Sequence, residues 1–303
     1  MSDIAATTVH ALPPVRQVRA YVQLMRPANM ITSMADVMAG FAVVGLIGWD
    51  SLPWLLASTL CLYAGGIVFN DVFDRQIDAI ERPERPIPSG RASAGGAAML
   101  GSVLLVSGFA LALRASVPAG AVAVLIGIAA LSYDKWAKHV TGVGPFVMGS
   151  CRGLNLLLGM MANPSSCVSH WFMPLLPLAY IAGVTLLSTG EVNGGSRQTS
   201  CLSAVLMGGS GFGLAAAGVT PDFNAWRVTP FLALLSWRLG PALWRACVTP
   251  EPAHIRKGVK AGILSLVVLD SAIAAGYAGW LYGGGLLVLM VSASRLARLF
   301  PVT

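Results

Sequence analysis

Charge is what this chain has least of. Only 11% of its 303 residues are charged, against roughly a quarter in a soluble domain, while 55% are hydrophobic and the mean hydropathy is +0.71. That balance excludes a water-soluble enzyme. Cysteine is also sparse: Cys61, Cys151, Cys167, Cys201 and Cys247 are scattered and form no C-x-x-C pair, which argues against a disulfide framework or a zinc site. Cys61, Cys151 and Cys201 lie in or beside apolar runs and read as small buried thiols. The four histidines are equally dispersed, and His139 falls in a basic loop where solvation is the simpler reading. Acidic residues are outnumbered 13 to 20, but a net charge of +7 in so apolar a chain signals orientation rather than nucleic-acid binding. The first 15 residues lack the apolar run of a signal peptide, so no cleavage is expected. Residues 1–20 are expected to form a disordered cytoplasmic tail and residues 21–300 a single transmembrane domain.

Apolar runs long enough to span a bilayer fall near 30–48, 53–72, 95–114, 117–133, 143–162, 171–188, 200–218, 228–247, 259–279 and 283–298. Lipid offers the backbone no hydrogen-bond partners, so each run must satisfy its own, which predicts an all-α polytopic helix bundle. Thirteen of the 20 Lys and Arg residues fall in the tail and in alternate connections, with only Arg114 and Arg227 clearly opposite. That asymmetry places this face in the cytoplasm, and an even number of spans, ten, puts Arg295 and Arg298 there too.

Chemistry concentrates at the end of the second run, in Asn70-Asp71-Val72-Phe73-Asp74-Arg75-Gln76-Ile77-Asp78. As helix, Asn70, Asp74 and Asp78 stack at i, i+4 and i+8, with Asp71 beside them. Like charges at a membrane boundary are costly unless neutralised, and Mg2+ resolves the conflict by taking oxygen ligands and bridging carboxylates to phosphate. The simpler alternative is a solvated acidic helix end. Next comes Arg82-Pro83-Glu84-Arg85-Pro86-Ile87-Pro88-Ser89-Gly90-Arg91, stiffened by proline and rich in phosphate-pairing arginine.

Further polar residues recur at the same end. Arg26-Pro27-Ala28-Asn29 opens the first run, and Tyr133-Asp134-Lys135-Trp136-Ala137-Lys138 closes the fourth. Lys135 and Lys138 read equally well as orientation signals or as diphosphate ligands. Arg152 and Asn155 lie inside the fifth run, three apart on one face; an intramembrane arginine is a functional candidate, its structural alternative being a pair with an internal acid such as Asp36. Asp270, alone in the ninth run, reads as a buried hydrogen-bonded residue. Gly65, Gly66 and Ala64 leave room for a chain or, by the preferred reading, let helices pack closely.

Metal, basic groups and a greasy chamber are what ionising an isoprenyl diphosphate needs: the first two stabilise the leaving diphosphate, and the chamber shields an allylic cation from water. Through Arg26-Pro27, the N-D-x-x-D-x-x-x-D of residues 70–78, the segment 82–90 and Tyr133-x-Lys135-x-x-Lys138, the chain resembles the UbiA superfamily of intramembrane prenyltransferases over roughly residues 20–280. The resemblance implies nine helices around a central cavity, with two Asp-rich motifs facing each other across Mg2+ and diphosphate. It implies Asn70, Asp71, Asp74 and Asp78 as metal ligands, and Arg75, Arg82, Lys135 and Lys138 as diphosphate contacts. Arg26, Asn29, Arg152, Asn155 and Asn193 complete the candidate substrate-binding set, while Asp71, Asp74 and Glu191 are the candidate catalytic residues.

One departure stands out. Where the family carries its second acidic motif, this chain reads Ser188-Thr189-Gly190-Glu191-Val192-Asn193-Gly194-Gly195, as in the EboC-like branch. Glu191 alone remains to ligate metal or act as a base. The expected function is Mg2+-dependent prenyl transfer to a small acceptor, in a lipid bilayer of bacterial inner-membrane type. The alternative is an intramembrane terpene cyclase, which needs no acceptor. A third reading, a lipid-binding or transport module, leaves the carboxylates without a purpose.

Overall fold

The computed structural model describes residues 14–140, 142–220 and 222–299. Thirteen α-helices follow one another: α1 Pro14–Leu24, α2 Pro27–Val43, α3 Leu52–Phe73, α4 Arg75–Glu81, α5 Ala94–Ala115, α6 Val117–Lys135, α7 Val143–Met160, α8 Pro164–Cys167, α9 Leu175–Ser188, α10 Arg197–Ala216, α11 Ala225–Val248, α12 Pro252–Ala278 and α13 Trp280–Leu299. Among the described residues there is no strand. Their starts follow local chemistry. Proline opens α2, α3, α6 and α12 within the first two positions, where its missing N–H costs nothing. Ser93, Ser116, Ser196 and Asn224 cap α5, α6, α10 and α11 by accepting a first-turn N–H.

Each of the ten apolar runs coincides with a helix, so the protein is an all-α integral membrane protein. Five helices (α3, α5, α6, α10 and α12) are long and apolar enough to cross a bilayer. A sixth is counted if 164–170 and 175–188, bent by 65°, form one span. The sequence expectation of nine or ten crossings is therefore not met by length and composition alone. Arg152 and Asn155 dilute α7, and Arg227, Arg238 and Arg245 dilute α11.

The N-terminal stretch also differs from expectation. Residues 14–20, read from the sequence as tail, begin α1, because Ala20 and Leu24 bury one face of it beside Val68, Ala92 and Ala97. The earlier part of that tail lies outside the described residues.

α12 is the axis of the bundle. Leu266 to Ala275 are almost wholly buried, as expected of a helix apolar on all sides. It packs on α2, α9, α11 and α13, while α2, α3, α6 and α7 form a ring beside it. Within the ring neighbouring helices touch, but α3 and α7 face each other across it and scarcely meet directly. α2 and α7 approach closest: a Cβ on Gly159 falls 2.1 Å from the Val37 carbonyl oxygen, and one on Gly40 falls 2.1 Å from that of Leu156. Gly159→Ala should destabilise the protein by about 1–3 kcal/mol, read as a lower thermal midpoint in detergent. Gly65 and Gly66 are packing positions too, facing Leu105 and Ala130.

Candidate active site

The acidic motif sits where α3 ends. α3 stops at Phe73 and α4 starts at Arg75, yet the backbone ladder runs through the junction. The N–H groups of Asp74, Asp78 and Arg82 donate to the carbonyls of Asn70, Asp74 and Asp78 at 2.8–2.9 Å. The stacking expected from the spacing is therefore present along the backbone, with a kink at Asp74.

Basic residues from three other segments converge on these acids. Arg26 Nη2 donates to Asp71 Oδ1 at 2.7 Å. Arg26 joins α1 to α2 and adopts φ 48°, an unusual backbone for a non-glycine residue and one held by its surroundings. Arg85 Nη1 reaches Asp78 Oδ2 at 2.6 Å and Asp71 Oδ1 at 3.4 Å, and all three side chains are about 6–7% exposed. Lys138 Nζ pairs with Asp74 Oδ1. The segment carrying Arg85 is itself tied down: Ser89 Oγ donates to the Arg85 carbonyl at 2.6 Å, and Arg91 reaches Gln23 Oε1 on α1 at 2.9 Å. From α6, Asp134 Oδ1 accepts the side-chain amide of Asn70 at 2.9 Å.

Other candidates lie further out. Arg75 is exposed and donates to the Val72 carbonyl one turn back, away from the acids. Lys135 is exposed, as is Arg82. The side chain of Asn29 lies outside the described residues. Glu191 is half-buried between Arg256 and Arg82: burial pushes its pKa above the ordinary carboxylate range, and the two guanidinium groups partly offset this. Arg256 Nη1 also donates to the Glu191 carbonyl at 3.0 Å. Asn193 is exposed.

Arg152 and Asn155 belong to a deeper network. Arg152 Nη1 donates to Asp36 Oδ2 at 2.7 Å and Nη2 to Thr32 Oγ1 at 3.3 Å, with the guanidinium 5.1 Å from the centre of the Tyr63 ring. The Asn155 amide donates to the same Asp36 oxygen and to the Ser33 carbonyl, both at 2.8 Å, and its oxygen accepts from Thr59 at 2.6 Å. The structural alternative weighed for Arg152, pairing with Asp36, is what is found. Asp270 is buried as expected, but among the described residues neither of its carboxyl oxygens has a hydrogen-bond partner.

The motif residues can be tested against Mg2+. No three His, Cys, Asp or Glu side chains among the described residues are gathered into a ready cage; each acid is neutralised by a basic side chain instead. The donor set nonetheless suits a hard cation, being all oxygen. Asp71, Asp74 and Asp78 each commit one carboxylate oxygen to the protein, and Asn70 uses only its nitrogen. Glu191 offers a single carboxylate.

Two residues of the rim escaped the sequence reading. Arg85 was one of three arginines in residues 82–91, with nothing local to distinguish it; its place seven residues beyond Asp78 and between two prolines was the available hint. Asp134 was hidden by the lysines flanking it.

The chain is similar to known proteins in sequence and in fold. The model of the UbiA prenyltransferase family matches residues 30–191, more than half of the chain. A curated relative, digeranylgeranylglyceryl phosphate synthase of Ignicoccus hospitalis, is 35% identical over 48% of this chain and 48% of its own length. The chain spans about half to three-fifths of the length of such relatives. Among solved structures, one concerning digeranylgeranylglyceryl phosphate synthase in membranes superposes with a TM-score of 0.69 at 21% identity, covering 86% of this chain and 98% of that one. A UbiA homologue from Archaeoglobus fulgidus, bound to GPP and Mg2+, gives a TM-score of 0.51 at 12% identity, covering 94% of this chain and all of that one. At these identities the two structures establish the fold.

Proposed function

Since the chain belongs to the UbiA prenyltransferase family, we propose that the rim of paired acids and cations binds an isoprenyl diphosphate with Mg2+ and transfers its prenyl group to a small acceptor. The observation that carries this reading is the convergence of Arg26, Arg85 and Lys138, from three separate segments, on the acids of one helix end. So much buried charge at the end of a membrane helix has little structural value by itself, because each pair gives up hydration that its mutual attraction only partly returns. The names of the relatives and the GPP and Mg2+ of the Archaeoglobus homologue support the same reading.

Asn70, Asp71, Asp74 and Asp78 would hold the metal, with Glu191 as a single ligand from the opposite segment. When bound, Mg2+ neutralises diphosphate oxygens and stabilises their growing charge. Arg26, Arg85 and Lys138 are the hydrogen-bond donors around a diphosphate on this face, and Arg256 and Arg82 are the basic groups around Glu191. As the carbon–oxygen bond of the donor breaks, these cations take up the charge left on the departing diphosphate. The new bond forms between the allylic carbon and the acceptor, which loses a proton. Where Glu191 does not ligate the metal, its raised pKa suits it instead to accept that proton. The apolar ring below the rim keeps water from the cation. The excess of Lys and Arg on the rim side supports a cytoplasmic position for this site.

Purified protein in lipid, supplied with Mg2+ and geranyl, farnesyl or geranylgeranyl diphosphate, tests the proposal. Diphosphate release and a prenylated product are expected only when acceptor from a cell extract is added. A cyclic terpene formed without acceptor would replace transfer with cyclisation.

A further inference from the structure

Two aspartates and an arginine lie deep in this bundle with no part in the chemistry at the rim, and two helices give their depth independently. Arg26 and Asp71 are bonded, so they mark one level at the rim. On α2, Asp36 follows Arg26 by ten residues, or ~15 Å at the rise of an α-helix. On α3, Tyr63 and Thr59 precede Asp71 by eight and twelve residues, or ~12 and ~18 Å. Hydrogen bonds and ring contact join Asp36, Arg152, Asn155, Thr59 and Tyr63 into one layer. It lies near the middle of a hydrocarbon slab ~30 Å thick, where ionisable groups are rare.

Three observations mark this layer as a boundary. α3 and α7 have little direct contact across the ring, and here their side chains meet, Tyr63 with Arg152 and Thr59 with Asn155. Exposure also falls abruptly. The Arg152 side chain is 12% exposed although it points inward within its helix, and Tyr63 is partly exposed, whereas Thr59 is 1% and Asp36 and Asp270 are 0% exposed. Among these side chains, accessible surface therefore ends at the level of Tyr63 and Arg152. Finally, the layer resists an apolar chain. Pushing hydrocarbon into it would break charge-assisted hydrogen bonds where no water can replace them.

We propose that this layer is the floor of the substrate chamber and sets the longest isoprenyl chain the donor can carry. The proposal rests on the donor reading given above, with the diphosphate at the rim and the tail pointing inward. An isoprene unit is four chain bonds long, roughly 4–5 Å when extended. A height of ~12 Å to Tyr63 accepts about three units, and a fourth must compress or displace the floor. Asp270 lies beside Asp36 and is 0% exposed.

The test is competition binding to the full chain in nanodiscs with Mg2+, using inorganic, geranyl, farnesyl and geranylgeranyl diphosphate. Wild type should bind farnesyl more tightly than geranylgeranyl diphosphate. Tyr63→Ala should shift that ratio roughly tenfold towards geranylgeranyl and leave inorganic diphosphate unchanged. Should Tyr63→Ala lose inorganic diphosphate as well, indicating misfolding, the pair Arg152→Ala/Asp36→Asn is read for the same ratio. A wild type that binds geranylgeranyl at least as well as farnesyl diphosphate overturns the floor and leaves the donor reading standing. So does an unchanged ratio in a folded variant. If neither inorganic diphosphate nor any donor binds wild type, the donor reading itself fails and the floor with it.

Discussion

Asp71→Asn should lower turnover by roughly a thousandfold while leaving the helical fold in place, because this carboxylate is where the rim is tied together. Among the described residues it alone accepts from two cations of different segments, Arg26 at the α1–α2 junction and Arg85 beyond α4. It is 4% exposed, so its charge is not shared with solvent. Asparagine keeps the shape and removes the charge. Arg85 retains Asp78, but Arg26 loses its only carboxylate partner among the described residues. A metal and a diphosphate placed here would lose one anionic oxygen ligand and the cations' fixed positions together. The measurement is single-turnover product formation beside the circular dichroism of the same preparation. Turnover within tenfold of wild type would remove Asp71 from the site. A simultaneous loss of helicity would assign it a structural role.

Much of that rim was legible in the sequence, and the reason is periodicity. The apolar run near 53–72, leading into Asn70-Asp71-x-x-Asp74-x-x-x-Asp78, specifies both the helix and the face that carries its acids. The kink at Asp74 leaves this intact because the backbone ladder continues through it. What the sequence left open was which cation meets which acid. Arg85 crosses from a proline-rich segment to Asp71 and Asp78, and no local pattern separates it from Arg75, Arg82 or Arg91. Arg75, a candidate by position, turns back to its own helix. Pairings between segments depend on how the chain folds over itself, and spacing reports only along one element. The same limit explains the crossing count: composition finds apolar runs but does not say how a helix diluted by Arg152 or by three arginines lies in the bilayer.

Asp36 and Arg152 show a different kind of legibility. Two opposite charges isolated in apolar runs must find each other, so the pair was foreseeable from burial cost alone. Their position as a floor was not, since it needs the separation of α3 and α7 in space.

The largest expected loss of stability follows from the same pair. Arg152→Ala strands Asp36 at 0% exposure, beside an Asp270 that already lacks a donor among the described residues. Removing one partner of a buried ion pair typically costs about 3–5 kcal/mol, because the remaining charge keeps its desolvation penalty and loses its compensation. Arg152→Ala/Asp36→Asn removes both charges. Its cost should be smaller than that of Arg152→Ala alone, although it carries more substitutions, and should come mainly from the emptied volume beside Tyr63. Asp270→Asn runs the other way: an amide there can donate to Asp36 Oδ1, which lacks a partner among the described residues, so stability should hold or rise. Thermal unfolding in a single detergent, with the four proteins side by side, reads all three differences. A double variant less stable than Arg152→Ala would mean that Asp36 stabilises the bundle without Arg152. Its charge would then be balanced by some other group, and the boundary between chamber and core would have to be drawn elsewhere.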